Sequence, residues 1–214
     1  MEQSILSDYI KNYNRTECEY QTEDPNPAMD GIQTPRFVHA VLGLCSETAE
    51  YAEATGSHHR DEELGDLVWF TTLAAEAISE APELLWLEAL RVNKVRTADQ
   101  PLEDLQHATG ALADRLKALL FYQSQTLKPF FPRGGEYKRD KVEPLECLAT
   151  TIRAVAVAIV GLSLQLEGEG QFERCLLKNL AKLQARHGGA AKSDTRDYDQ
   201  EKLAMEAVCV EASL

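Results

Sequence analysis

Four acidic residues of this chain sit where a carboxylate is out of place. At helical spacing, positions 40, 43, 44, 47, 50, 51 and 54 form one stripe that reads Ala, Gly, Leu, Glu, Glu, Tyr, Ala, so Glu47 and Glu50 interrupt a small, apolar face. In the next helical segment, positions 66, 70, 73 and 77 read Asp, Phe, Leu, Ala, which puts Asp66 on a core-facing row with Glu63 one turn before it. Each pair is spaced i, i+3, and its carboxylates share one side of a helix, about 5–6 Å apart at Cβ. Such a pair is ordinarily a solvated helix face. Here both pairs lie on apolar rows, and only Thr55 to Arg60 connects the two helices, which makes them antiparallel neighbours. Four carboxylates facing across a hairpin repel by about 4 kcal/mol per close pair at an effective dielectric of about 20. A cation between them removes that repulsion, and an oxygen-only set without His or Cys suits a hard ion, Mg²⁺ or Mn²⁺.

The elements that must position these residues are helical. From Phe37 onward the periodicity is that of amphipathic helices, with no alternating strand run and no Asn-Gly hairpin, so the expected class is all-α. Helices are expected at about 36–55, 60–79, 82–97, 101–123, 140–166, 170–187 and 197–210, separated by breaks such as Thr55-Gly-Ser, Ala81-Pro, the Pro129-Phe-Phe-Pro-Arg-Gly-Gly loop and Gly188-Gly. Residues 1 to about 35 read as polar and irregular, with one short amphipathic stretch (Ile5, Tyr9, Ile10, Tyr13) ahead of Asp24-Pro-Asn-Pro. Two segments look like copies: His39-Ala-Val-Leu-Gly-Leu-Cys-Ser-Glu47 lies over His107-Ala-Thr-Gly-Ala-Leu-Ala-Asp-Arg115, Glu63-Leu-Gly-Asp66 over Glu143-Pro-Leu-Glu146, and Asn93 over Asn179. The second copy has lost acidic chemistry, with Arg115 at the position of Glu47 and Ala118 at that of Glu50. The expected organisation is an N-terminal arm (1–36), a repeat with the carboxylates (37–99), a degenerate second repeat (100–190) and a C-terminal helix or tail (191–214).

Composition narrows the partners. The 214 residues carry 22 Lys and Arg against 35 Asp and Glu, a net charge of −13, and 44% are hydrophobic, enough to fill a core. The acidic excess argues against a broad nucleic-acid polymer interface or an anionic membrane surface, both of which need clustered Lys and Arg. No apolar run of the roughly 20 residues of a membrane span stands out, and the N-terminus has neither a basic nor an apolar leader pattern, so the expected location is cytoplasmic. Five widely spaced cysteines without a C-x-x-C pair point to neither a disulfide framework nor zinc, and most are expected to be buried.

Glu47-Thr-Ala-Glu50, twelve residues (51 to 62), then Glu63-Leu-Gly-Asp66-Leu-Val-Trp-Phe is similar to the E-x-x-E, spacer, E-x-x-D signature of the MazG-like all-α nucleoside triphosphate pyrophosphohydrolases, the superfamily that includes the dimeric dUTPases. The approach from His39 and the exit Asn179-Leu-Ala-Lys182-Leu-Gln-Ala-Arg186-His resemble the family's lead-in and its N-x-x-K-L-x-x-R helix, and Thr195-Arg-Asp-Tyr-Asp-Gln-Glu resembles a stretch of many phage and bacterial members. The likeness covers about 37–79 and 174–202, with Glu19-Tyr-Gln21 as an N-terminal outlier. It implies four-helix-bundle units, here duplicated in one chain as a pseudo-dimer, in a homodimer or higher homo-oligomer. It implies hydrolysis of a (d)NTP to the monophosphate and pyrophosphate. Glu47, Glu50, Glu63 and Asp66 would be the Mg²⁺ ligands and catalytic groups, Glu47 also orienting or deprotonating the attacking water. Asn179, Lys182 and Arg186 would hold the phosphates, with Asn93 and Lys94 as the other pair available for that role.

The family's short link between these motifs is replaced here by roughly a hundred residues, which the degenerate copy accounts for, Leu116-Lys-Ala-Leu-Leu-Phe-Tyr122 among them. The expected substrate is a deoxynucleotide, dGTP or dATP, in nucleotide-pool adjustment or house-cleaning. The alternatives are a dUTP- or dCTP-directed diphosphatase and a non-catalytic helical scaffold. His58 and His59 are expected as surface loop residues, and Trp69, Phe70 and Trp86 as packing aromatics, one of which could stack on a base.

Overall fold

Two helical hairpins and the helices laid across them make up the protein. The computed structural model describes residues 2–13, 29–95, 99–130, 142–166, 170–187 and 203–207. Its helices are α1 (Glu2–Asn12), α2 (Thr34–Glu53), α3 (Ser57–Ala77), α4 (Pro82–Val95), α5 (Pro101–Tyr122), α6 (Pro144–Ser163) and α7 (Gln171–His187), and 203–207 is also helical. Among the described residues the one extended pairing is a bridge between Leu127 and Val142, so the class is all-α.

The helix boundaries follow local chemistry. Helices α2, α4, α5 and α6 each have a proline in the first turn, where the missing N–H has no intrahelical partner to lose. The α2–α3 connection turns at Gly56, whose φ of +82° is open to glycine at no steric cost. Helix α6 starts at Pro144 rather than near 140, with Glu143 as its N-cap.

The packing repeats. Helix α2 pairs with α3, and α5 pairs with α6, while the third helix of each set crosses over: α4 lies on α6 and α7 lies on α3. Contacts of α2 with α5 and of α3 with α6 join the two sets, and the Trp86 and Phe172 rings of the crossing helices meet with centroids 5.4 Å apart. Helix α3 is enclosed by α2, α4, α6 and α7, so Leu64, Leu67, Val68, Leu73 and Ala74 are all fully buried. Each buried Leu contributes about 1.5–3 kcal/mol before chain entropy is set against it. Helix α7 approaches α3 closely at Gly65, where an added Cβ would stand 2.8 Å from the Asn179 Cβ and 3.1 Å from the Cys175 carbonyl.

Three expectations change. The N-terminal segment contributes an ordered helix rather than only an irregular arm: α1 docks on α7 and α4 and buries Leu6, Tyr9 and Tyr13. A helix this short is marginal alone, and its stability comes from docking, which a local pattern does not reveal. Helix α6 is long and apolar enough to meet the composition of a membrane span, contrary to the reading of the sequence; two thirds of that stretch is buried inside this protein, against α3, α4 and α5. Finally, Glu143 and Glu146 are not where the second copy's packing would put a counterpart of Asp66. Asn179 meets α3 at Asp66, whereas Asn93 meets α6 at the Val157 carbonyl, three turns beyond Glu146, which is exposed. Cys147 and Cys175 are buried as expected and Cys45 is exposed. Cys18, Cys209, Glu19 to Gln21, Asp24 to Pro27 and Thr195 to Glu201 lie outside the described residues, as does most of the expected 197–210 helix.

Candidate metal centre

Helix α2 presents Glu47, half-buried, and Glu50, exposed at the open end of the stripe, while α3 presents Glu63, only 5% exposed. One carboxylate oxygen from each of these three lies within 4.8 Å of those from the other two. Burial first, and then the charges of Asp66, Glu50 and Glu63, push the Glu47 carboxyl up to about 8. Glu63 is also raised, by burial and then by Asp66, while its hydrogen bond with Glu47 acts the other way. Glu47 and Glu63 are hydrogen-bonded to one another. At the mouth, His59 Nε2 stands 2.9 Å from Glu63 Oε1.

Asp66 faces a different set of partners. Asn179 Nδ2 donates to its Oδ1 at 2.7 Å, and Lys182 Nζ donates to its Oδ2. Lys182 is 1% exposed and also lies 3.4 Å from Glu62 Oε1. The sequence reading gives Lys182 to substrate phosphates; in the structure its ammonium, buried among carboxylates, is directed at Asp66 and Glu62 instead. Arg186, one turn on, lines the cleft beside the acidic cluster.

The cleft holds about 340 Å³. One end is the acidic floor, and the other is aromatic: Trp69 and Phe70 meet edge to face at 4.7 Å, and His39 lies edge-on to both, at 5.8 and 5.4 Å. Trp69 is held from behind, its Nε1 donating to the Tyr13 carbonyl at 3.2 Å with the Tyr13 ring edge-on at 6.4 Å.

Of the residues singled out from the sequence, the structure brings together Glu47, Glu50, Glu63, Asp66, Asn179, Lys182 and Arg186. It does not bring Asn93 and Lys94. Asn93 is buried between α4 and α6, its Nδ2 donating to the Ala89 and Val157 carbonyls, because α4 crosses to the other hairpin and carries its polar residues away from the carboxylates.

Several participants went unread. Tyr9, fully buried, donates its hydroxyl to Asn179 Oδ1 at 3.0 Å. Asp61, 2% exposed, accepts from Lys178 Nζ at 2.6 Å and from Arg174 Nε at 3.0 Å, pinning α7 to α3 beside the centre. Lys178 and Lys182 at i, i+4 on a face shared with Cys175 and Leu183 were the available signal, since paired lysines on an apolar stripe need buried anions.

Glu47, Glu50 and Glu63 are the described residues whose oxygens converge closely enough to hold a divalent ion, and the oxygen-only donor set fits a hard cation. No family model, curated protein or solved structure matches this chain.

Proposed function

We propose that the protein is a Mg²⁺-dependent nucleoside triphosphate pyrophosphohydrolase, with Mn²⁺ able to substitute. Glu47, Glu50 and Glu63 would hold the ion, with Asp66 beside them. The observation that carries this reading is the convergence of three carboxylates at one end of a cleft whose other end is aromatic. A triphosphate with about four negative charges enters an acidic pocket only when cations accompany it, and the bound ion would neutralise phosphate oxygens and polarise the reacting phosphorus. The rest falls to the chain itself. Arg186 meets the phosphates from the cleft wall. Glu47, besides its place among the ligands, would orient or deprotonate the attacking water. Asn179 and Lys182 keep Asp66 in place, and the His39, Trp69 and Phe70 wall receives the flat face of a base. Water adds to phosphorus, the phosphoanhydride bond breaks, and pyrophosphate leaves.

The spacing of the motifs, with its likeness to MazG-like enzymes, supports the same reading, and a deoxynucleotide, dGTP or dATP, is the favoured substrate. The repeated packing supports two copies of a three-helix unit in one chain, the second without the ligands. The test is a screen of the purified chain against all common NTPs and dNTPs, with Mg²⁺ and with Mn²⁺. Pyrophosphate release is expected from wild type and is expected to be lost in Glu50→Gln, whose exposed position leaves the helical circular-dichroism spectrum intact. A dominant response to dUTP or dCTP would redirect the base assignment. Wild type that releases pyrophosphate from none of them would sink the enzyme reading in favour of a helical scaffold.

A further inference from the structure

We propose that Tyr9, on the N-terminal helix, is a positioning residue of the metal centre: its hydroxyl fixes the Asn179 amide, and the amide fixes the Asp66 carboxylate. The inference rests on the reading of the acidic cluster as a metal centre.

The direction of this chain of hydrogen bonds is set by chemistry. An ionised carboxylate only accepts, so the Asn179 group facing Asp66 Oδ1 at 2.7 Å is the amide nitrogen. The amide oxygen then points the other way and needs a donor. The Tyr9 hydroxyl, 3.0 Å away, is that donor. Burial, and then the nearby Asp66 charge, hold the phenol well above its ordinary range, which keeps it protonated and donating. With Lys182 on Oδ2, Asp66 has each oxygen assigned to a partner.

Asp66 matters beyond its own role because it lies one turn beyond Glu63 on α3 and lines the same cleft as Glu47, Glu50 and Glu63. A shift of its carboxylate changes the field in which the other three receive an ion. The second half of the molecule supplies the contrast. Asn93 lies on the corresponding crossing helix, yet its Nδ2 donates to main-chain carbonyls and its Oδ1 has no partner among the described residues. An Asn that meets no carboxylate has no tyrosine behind it. Helix α1 is seated mainly on α7, and its Tyr13 carbonyl anchors Trp69 of the aromatic wall as well, so one helix braces both ends of the cleft.

The experiment uses the full chain and Mn²⁺ alone, titrated calorimetrically. Tyr9→Phe keeps the ring volume and removes only the hydroxyl. It is expected to weaken Mn²⁺ binding about tenfold, the scale on which partners of metal ligands act. Asn179→Ala is expected to weaken it at least as much, and the double variant no more than Asn179→Ala alone, because the hydroxyl acts only through the amide. Thr151→Val, which removes a buried hydroxyl bonded within α6 to the Cys147 carbonyl, is the stability control and is expected to leave Mn²⁺ affinity at the wild-type value. Unchanged affinity in Tyr9→Phe, or losses that add in the double variant, would overturn the relay while leaving the metal centre standing. Wild type that binds no Mn²⁺ would overturn both.

Discussion

With their His-led segments aligned in sequence, α2 carries Glu47 where α5 carries Arg115, and the two side chains lead to opposite outcomes. Arg115 satisfies itself from inside the protein: it donates to the Ala111 and Lys128 carbonyls at 2.7 and 3.1 Å and to Cys147 Sγ at 3.0 Å, and its guanidinium stands 5.6 Å from the centre of the Phe130 ring. His107 packs on the same ring, as His39 packs on Trp69 and Phe70. The cationic half thus closes into core. The anionic half cannot, because Glu47, Glu50 and Glu63 find one another and one face stays open as a cleft. Helix pairing tolerates either filling: Arg115 finds its partners within the protein, while Glu47, Glu50 and Glu63 line a cleft.

The largest expected effect separates the halves by activity. Glu50→Gln should lower the rate of metal-dependent pyrophosphate release a thousandfold or more, about 4 kcal/mol in the barrier. Arg115→Ala should leave that rate within about twofold while costing about 1 kcal/mol of stability, since one part-buried and one exposed carbonyl lose a donor. Steady-state rates and urea unfolding of both variants measure the two quantities. An Arg115→Ala chain with full stability and impaired turnover would break the comparison, for the second half would then be part of the chemistry.

Much of this was legible in the sequence, and what was missed has one physical cause. Local periodicity located α2 to α7 within a few residues and put Glu47, Glu63 and Asp66 on inward stripes, because helix face is a short-range property of the chain, while Glu50, placed on the same stripe, is exposed where that stripe opens to solvent. The fuller motif favours Asn179 over Asn93, and the reason Asn93 is excluded, that the third helices cross over, is a tertiary fact with no local signature. The same holds for Tyr9: its spacing with Tyr13 marked an amphipathic turn, but its partner is 170 residues away. The likeness of Asn179 to Arg186 to an N-x-x-K-L-x-x-R helix assigns Lys182 to phosphates, and only the packing of α7 on α3 at Gly65 shows its ammonium turned on Asp66. The second-copy register failed for a related reason, since Glu143 and Glu146 imitate the first motif by composition at the start of a helix whose packed middle is apolar.

A smaller effect contrasts the ion pairs of the two halves. Asp61 and Lys178 are each 3% exposed in their side chains, whereas Arg153 on α6 meets Glu80 and Glu88 with side chains 43%, 32% and 59% exposed. Asp61→Asn strands a buried ammonium and should cost about 3 kcal/mol, the low end for a broken buried pair because Arg174 stays partly hydrated. Arg153→Ala should cost less than about 1 kcal/mol. Chemical denaturation of both variants tests this; equal losses would mean that α4 and α7 are pinned alike and that the acidic half carries no special electrostatic load.

The smallest effect is a slope with pH. Glu47 ordinarily titrates near 4.5 and is held near 8 in the folded, metal-free chain, and Glu63 is raised in the same sense. A folded-state value above the unfolded one means that the native protein binds more protons between those limits. Stability is therefore fully present below about 4.5 and declines as pH rises through 8. Glu47 is partly exposed, so solvent screening leaves about 1 kcal/mol of this, or about 2–4 °C in the melting midpoint for a chain of this size. With EDTA present, the midpoint should fall by that amount between pH 5 and pH 8, and Glu47→Gln should flatten the fall. Mg²⁺ should act in the opposite direction and most strongly at the alkaline end, because the ion and the proton compete for the same oxygens. Arg115→Ala should keep the wild-type slope, since among the described residues no acidic cluster lies at that face. A slope that survives Glu47→Gln would place its origin elsewhere among the 35 acidic residues and remove the electrostatic distinction between the two hairpins.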